Sequence, residues 1–186
     1  WVNGVLLSLV LWMAFKRLRR AYPPMEATLN SDAYWTYLPN ARKLLSAPWT
    51  FLSTDPRSYD VAPLTYIWAA ALGADQATIQ TANGALFLIG LVLFWAFVRR
   101  LGGTLAAFIS AALIVAHPDI ADHAPLVLTE APYFFGLTLT MYSALRASTS
   151  TESPKLWHAL LVVALDLTLL VRPILQYLLL LSIVAL

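Results

Sequence analysis

Between Thr78 and Val98 the chain carries no charged residue, and Arg99-Arg100-Leu101-Gly102-Gly103 closes the run. A stretch of that length can cross the hydrocarbon layer of a bilayer as one helix. Inside hydrocarbon every backbone N–H and C=O must be paired within the structure, so the fold available to such a segment is narrow. Further apolar runs cover residues 1–15, 104–116, 131–145, 156–171 and 174–186. The expected fold is an all-α polytopic membrane protein of about six transmembrane helices, forming a single transmembrane domain over residues 1–186. Composition agrees: 60% of residues are hydrophobic and 12% charged, about half the charged fraction of a soluble domain. A net charge of +2 gives no case for nucleic acid, and the lack of cysteine excludes disulfides and thiolate metal sites. The chain opens on Trp1 and closes within an apolar run, as expected for the N-terminal part of a longer membrane protein.

The first two runs are separated by a long mixed loop, residues 16–76. Its centre is Asn30 to Leu45, where Tyr34, Tyr37, Leu38, Ala41, Leu44 and Leu45 repeat at helical spacing. Ser31 or Asp32 can cap the N-terminus of such a helix, and Arg42 and Lys43 suit its C-terminal end. Pro39 works against a continuous helix, because it removes a backbone donor. Residues 61–73 are apolar but too short to span. Both stretches are expected as short interfacial helices, with Trp35, Trp49, Tyr59, Tyr66 and Trp68 forming an aromatic belt. Arg99, Arg100, Arg146 and Lys155 lie in short loops on one side, which the positive-inside rule makes cytoplasmic. The long loop then faces outward.

Eight of the ten acids fall on the long-loop side: Glu26, Asp32, Asp55, Asp60, Asp75, Asp119, Asp122 and Glu130. Glu130 opens an apolar run, where an acid complements a helix N-terminus. Arg172 and Asp166 lie in or near the membrane, where an ionisable group marks a functional candidate. The plainer expectation is that the two pair, or that Arg172 snorkels to the surface. His117 and His123 bracket Asp119 and Asp122, a mixed donor set that can hold a metal or simply end a helix. Lys16 to Arg20 reads as an interfacial anchor that can also attract lipid phosphates.

Three patches together resemble the N-terminal part of the GT-C membrane glycosyltransferases, of the protein mannosyltransferase and aminoarabinose transferase type. They are Ser31-Asp32-Ala33-Tyr34-Trp35-Thr36-Tyr37 with Ala41 and Leu44-Leu45; Ala62-Pro63-Leu64-Thr65-Tyr66-Ile67-Trp68 with Gly73, Asn83 and Arg99-Arg100-Leu101-Gly102-Gly103; and Leu128-Thr129-Glu130 followed by Val171-Arg172-Pro173. Ala33 and Ala62 stand where the family often has a second acid and a second proline.

The resemblance implies a multi-pass protein of the bacterial plasma membrane. Such an enzyme takes a sugar from a polyprenyl-phosphate donor at the extracytoplasmic face and passes it to a hydroxyl or amine of a lipid, glycan or protein. Asp32 matches the family's catalytic base, and Glu130 an acid that orients acceptor or metal. Arg172, Arg42, Lys43 and Arg57 are the implied donor-phosphate cations, with Asp60 and Tyr34 supporting the acceptor. Some relatives hold a divalent cation and others do not, so the cofactor stays open. The rival readings are a transporter or flippase using Asp166 and Arg172 as a relay, and a membrane assembly subunit.

Overall fold

The computed structural model describes residues 1–21, 36–54, 63–126, 129–151 and 153–172. Among these, all regular structure is helical: α1 (Val2–Ala21), α2 (Leu38–Ser46), α3 (Pro48–Thr54), α4 (Pro63–Ala71), α5 (Gln76–Ala116), α6 (Pro118–Ala121), α7 (Glu130–Thr149) and α8 (Pro154–Val171). Two of them, α5 and α8, are long and apolar enough to cross a membrane.

The bundle is organised by a reversal inside α5. Gly103 has φ 79° and ψ −177°, a backbone region that only glycine enters freely. It divides α5 into arms 76–102 and 104–116, and the second arm brings the chain back toward the start of the first. There the Asn83 side-chain amide donates to the Leu126 carbonyl at 2.6 Å. Helix α1 packs against both arms. Val10, Ala14 and Leu18 of α1 share a buried core with Phe87, Leu91 and Trp95 of the first arm and Ala107, Ala111 and Val115 of the second. The register is pinned at both ends of α1. Thr104 donates to Asn3, and Arg17 donates to the Val115 and Ala116 carbonyls.

Helices α7 and α8 form an antiparallel pair joined through residues 150–153, and α7 also leans on the first arm of α5. Close approach comes from small residues, the usual solution where helices gain nothing by excluding water. Gly90 lies under Phe134, whose ring packs at a tilt against Phe87 at a centroid distance of 5.2 Å. Gly136 faces Thr168, which bonds back to the Ala164 carbonyl at 2.6 Å.

The segment between α1 and α5 contributes a second, smaller core, in which Tyr37, Leu38, Ala41, Phe51, Tyr66 and Ala69 pack with Ile79 of α5. Phe51 and Tyr66 meet edge to face at 5.4 Å. Of the two expected short helices, that over residues 61–73 is present as α4, and α2 covers the later part of the other, whose residues 30–35 lie outside those described. Pro39 lies in the first turn of α2 rather than in its interior, where its missing N–H would have had no helical partner anyway. Helix α3 has no counterpart in the sequence pattern, and Pro48, a residue that ordinarily punctuates loops, begins it. Gly73 and Ala74, both with positive φ, turn the chain into α5, which Asp75 caps by accepting from the Thr78 N–H at 2.8 Å.

Candidate functional site

The antiparallel pairing of α7 and α8 brings the N-terminus of one beside the C-terminus of the other. Glu130 is the first residue of α7, and Arg172 follows the last residue of α8. Each charge complements the dipole of its own helix. Arg172 Nη2 donates to Glu130 Oε1 at 2.7 Å, and its Nε donates to Thr129 Oγ1 at 3.2 Å. The guanidinium also lies over the Tyr133 ring, 5.1 Å from its centroid. The guanidinium is thus held from three directions while its side chain stays 40% exposed, open to a further anion. Glu130 Oε2 is buried and has no hydrogen-bond partner among the described residues. A buried carboxylate oxygen without a donor is costly, so this atom is an unmet acceptor at the edge of the pair.

Along the same helices, α4, α5, α7 and α8 line a half-open apolar cavity of about 260 Å³. Trp68, Leu86, Pro132, Phe135, Leu167 and Val171 are among its walls. Glu130 and Arg172 do not themselves line it, but their chain neighbours Pro132 and Val171 do, so the charged pair and the apolar space share the α7–α8 seam. Trp68 is fixed in that wall by donating from Nε1 to Asn83 Oδ1 at 3.0 Å. The arrangement suits an amphipathic ligand: the guanidinium for an anionic head, the cavity for an apolar body, and Glu130 for a polar group beside the head.

Of the expected site residues, Glu130 and Arg172 are therefore in contact. Arg42 and Lys43 lie on the exposed face of α2, which packs on α3 and α4. Asp32, Tyr34, Arg57 and Asp60 lie outside the described residues. The expected Asp166–Arg172 pair does not form: Arg172 engages Glu130, and Asp166 is on the exposed face of α8. Among the described residues no three of His, Asp and Glu converge as a metal-ligand set. That removes the grouping of His117, Asp119, Asp122 and His123.

Asp122 has another partner that the sequence does not suggest. Arg17 grips it with two hydrogen bonds, Nε to Oδ1 at 2.8 Å and Nη2 to Oδ2 at 3.0 Å. The hydrogen bond from Arg17 holds the Asp122 carboxyl below the usual aspartate range, against the opposing effect of burial. No local pattern links two residues this far apart in the chain, and only the α1–α5 packing unites them.

No family model, curated protein or solved structure matches the chain.

Proposed function

We propose that this chain belongs to a membrane glycosyltransferase of the GT-C kind, which moves a sugar from a polyprenyl-phosphate donor to a hydroxyl or amine. The observation that carries this reading is the Glu130–Arg172 pair at the end of the α7–α8 seam, the seam that also lines the apolar cavity. A polyprenyl-phosphate sugar has the same division, an anionic phosphate joined to a long apolar chain. In this reading six helices span the bacterial plasma membrane, and residues 16–76 face outward with α2 and α4 along the surface.

Arg172 holds the donor phosphate and stabilises the charge that grows on it as the sugar–oxygen bond breaks. Glu130 accepts from the acceptor and orients it. Asp32 takes the proton of the attacking hydroxyl or amine, the nucleophile bonds to the anomeric carbon from the far side, and the lipid phosphate departs with inversion. A carrier using Asp166 and Arg172 as a relay fits less well, because Arg172 is committed to Glu130 and Asp166 lies on a different face of α8.

The test is transfer from a radiolabelled polyprenyl-phosphate sugar by the full-length protein in membranes. Asp32→Asn keeps shape and capping ability but removes the basic group, so transfer should vanish while insertion is unchanged. Full activity in Asp32→Asn would overturn the assignment.

A further inference from the structure

At the same end of α1 as the Arg17–Asp122 pair lies a second depression, unrelated to the Glu130–Arg172 site. It has a volume of about 500 Å³ and is bordered by Trp12, Met13, Lys16, Arg17, Arg20 and Asp122 together with the end of α5. Its walls mix charged and apolar side chains. The charges are three cations to one carboxylate, and that carboxylate is already neutralised by Arg17. Arg17 is committed as well: Nε and Nη2 hold Asp122, while Nη1 serves the Val115 and Ala116 carbonyls. Lys16 and Arg20 are both exposed and make no ion pair with another described residue. The Lys16 ammonium lies over the Trp12 ring, 5.3 Å from its centroid. Trp12 is 57% exposed, and Phe15 and Leu9 flank it on the exposed apolar face of α1, Phe15 beside the basic end and Leu9 away from it.

From this juxtaposition we infer that the depression is a binding site for the headgroup of an anionic glycerophospholipid. Lys16 and Arg20 engage the phosphate, the Arg17–Asp122 pair forms the floor, and the acyl chains run along Leu9, Trp12 and Phe15. The apolar strip leading from the cations is what selects a lipid over a free anion, since a free phosphate has nothing to place there. Basic residues at the edge of an apolar helix each strengthen attraction to anionic lipid. Here they are gathered into a concave site with its own floor. The inference rests on the bundle lying in a bilayer and is independent of the transferase activity.

The experiment is native mass spectrometry of the full chain released from detergent, titrated in turn with phosphatidylglycerol, phosphatidylcholine and inorganic phosphate. Phosphatidylglycerol should be retained in preference to phosphatidylcholine. Lys16→Gln and Arg20→Gln should each weaken its retention roughly fivefold, and the double variant about thirtyfold, with phosphatidylcholine unaffected. Arg99→Gln/Arg100→Gln removes the same charge at the opposite end and should leave retention unchanged. Retention in the Lys16/Arg20 variant equal to wild type would overturn the site, as would an equal loss in the Arg99/Arg100 variant. Displacement of the lipid by millimolar inorganic phosphate would reassign it to a free anion. A chain that purifies from the aqueous fraction without detergent would remove the bilayer premise itself.

Discussion

The Arg17 guanidinium is shared between the Asp122 carboxylate and the last carbonyls of α5, so one side chain ties α1 to the end of the second arm. The two halves of that arrangement should behave differently on mutation. The ion pair is half-exposed, with 46% of the Asp122 side chain accessible, and pairs of this kind contribute about 0–1 kcal/mol. Asp122→Asn should therefore lower stability by less than about 1 kcal/mol. Arg17→Ala should cost more, because it also strips donors from two helix-terminal carbonyls. Thermal unfolding of both variants in detergent checks the order.

The same pair sets a pH dependence. The Asp122 carboxyl is held below its ordinary value by the Arg17 hydrogen bond. Its contribution is then complete above the unfolded-state value, about 3.9, and disappears as pH falls through the lower folded-state value. Between pH 7 and about 5 the pair should add nothing to any change in melting temperature. Below about 4 its contribution should fade in wild type, and the melting temperatures of wild type and Asp122→Asn should converge. Parallel curves down to the most acid point would show that Arg17 does not stabilise the ionised carboxyl.

Gly136 and Thr168 give a packing prediction that a second substitution can reverse. A Cβ on Gly136 would lie 2.5 Å from Thr168 Oγ1 and 3.3 Å from Thr168 Cβ. Gly136→Ala should destabilise by about 1–3 kcal/mol, the usual cost of overpacking. Adding Thr168→Ala removes the hydroxyl and should recover most of the loss. A double variant no better than Gly136→Ala alone would place the strain elsewhere.

At Gly103 the constraint is the backbone rather than a neighbour. Its φ is 79°, and a methyl group added there would meet nothing within 4 Å. Gly103→Ala should therefore cost about 1–3 kcal/mol from strain alone. Gly4→Ala also meets open space but sits in ordinary helix, so it should be neutral or slightly stabilising. Comparing the two melting temperatures separates backbone conformation from crowding.

The helical character is legible in the sequence because apolar runs bounded by charge or proline leave few other solutions. The runs at 131–145 and 156–171 lie within α7 and α8. Proline is the residue most easily misread. Pro39 and Pro48 both occupy first turns, where a missing N–H costs nothing. Pairing Arg172 with Asp166 fails for a geometric reason. Six residues of helix turn through about 600°, leaving Asp166 and the end of α8 on different faces. Glu130 stands out in the sequence as the first acid of its helix, but its contact with Arg172 depends on how α7 and α8 align. The cavity along the same seam depends on four helices at once. The Arg17–Asp122 fork likewise arises only from tertiary packing.

Arg172 provides the sharpest separation between binding and chemistry. Its three contacts, to Glu130, Thr129 and the Tyr133 ring, fix a planar guanidinium in one orientation. A lysine keeps the charge but cannot make all three, since its ammonium is a compact point charge on a flexible stem. Under the proposed function, Arg172→Lys should raise the KM for the polyprenyl-phosphate donor with a smaller effect on kcat. Arg172→Ala should weaken donor use by about 10- to 100-fold, the equivalent of a charge-assisted hydrogen bond. It also leaves the Glu130 carboxylate without its cation, so Glu130→Gln/Arg172→Ala should be folded at least as well as Arg172→Ala. Tyr133→Phe keeps a ring face under the guanidinium and should leave donor KM near wild type. The readout is initial-rate kinetics on the full-length enzyme, with donor and acceptor varied separately. If Arg172→Ala changed only the acceptor KM, the guanidinium would belong to the acceptor side and the phosphate would have to be held elsewhere.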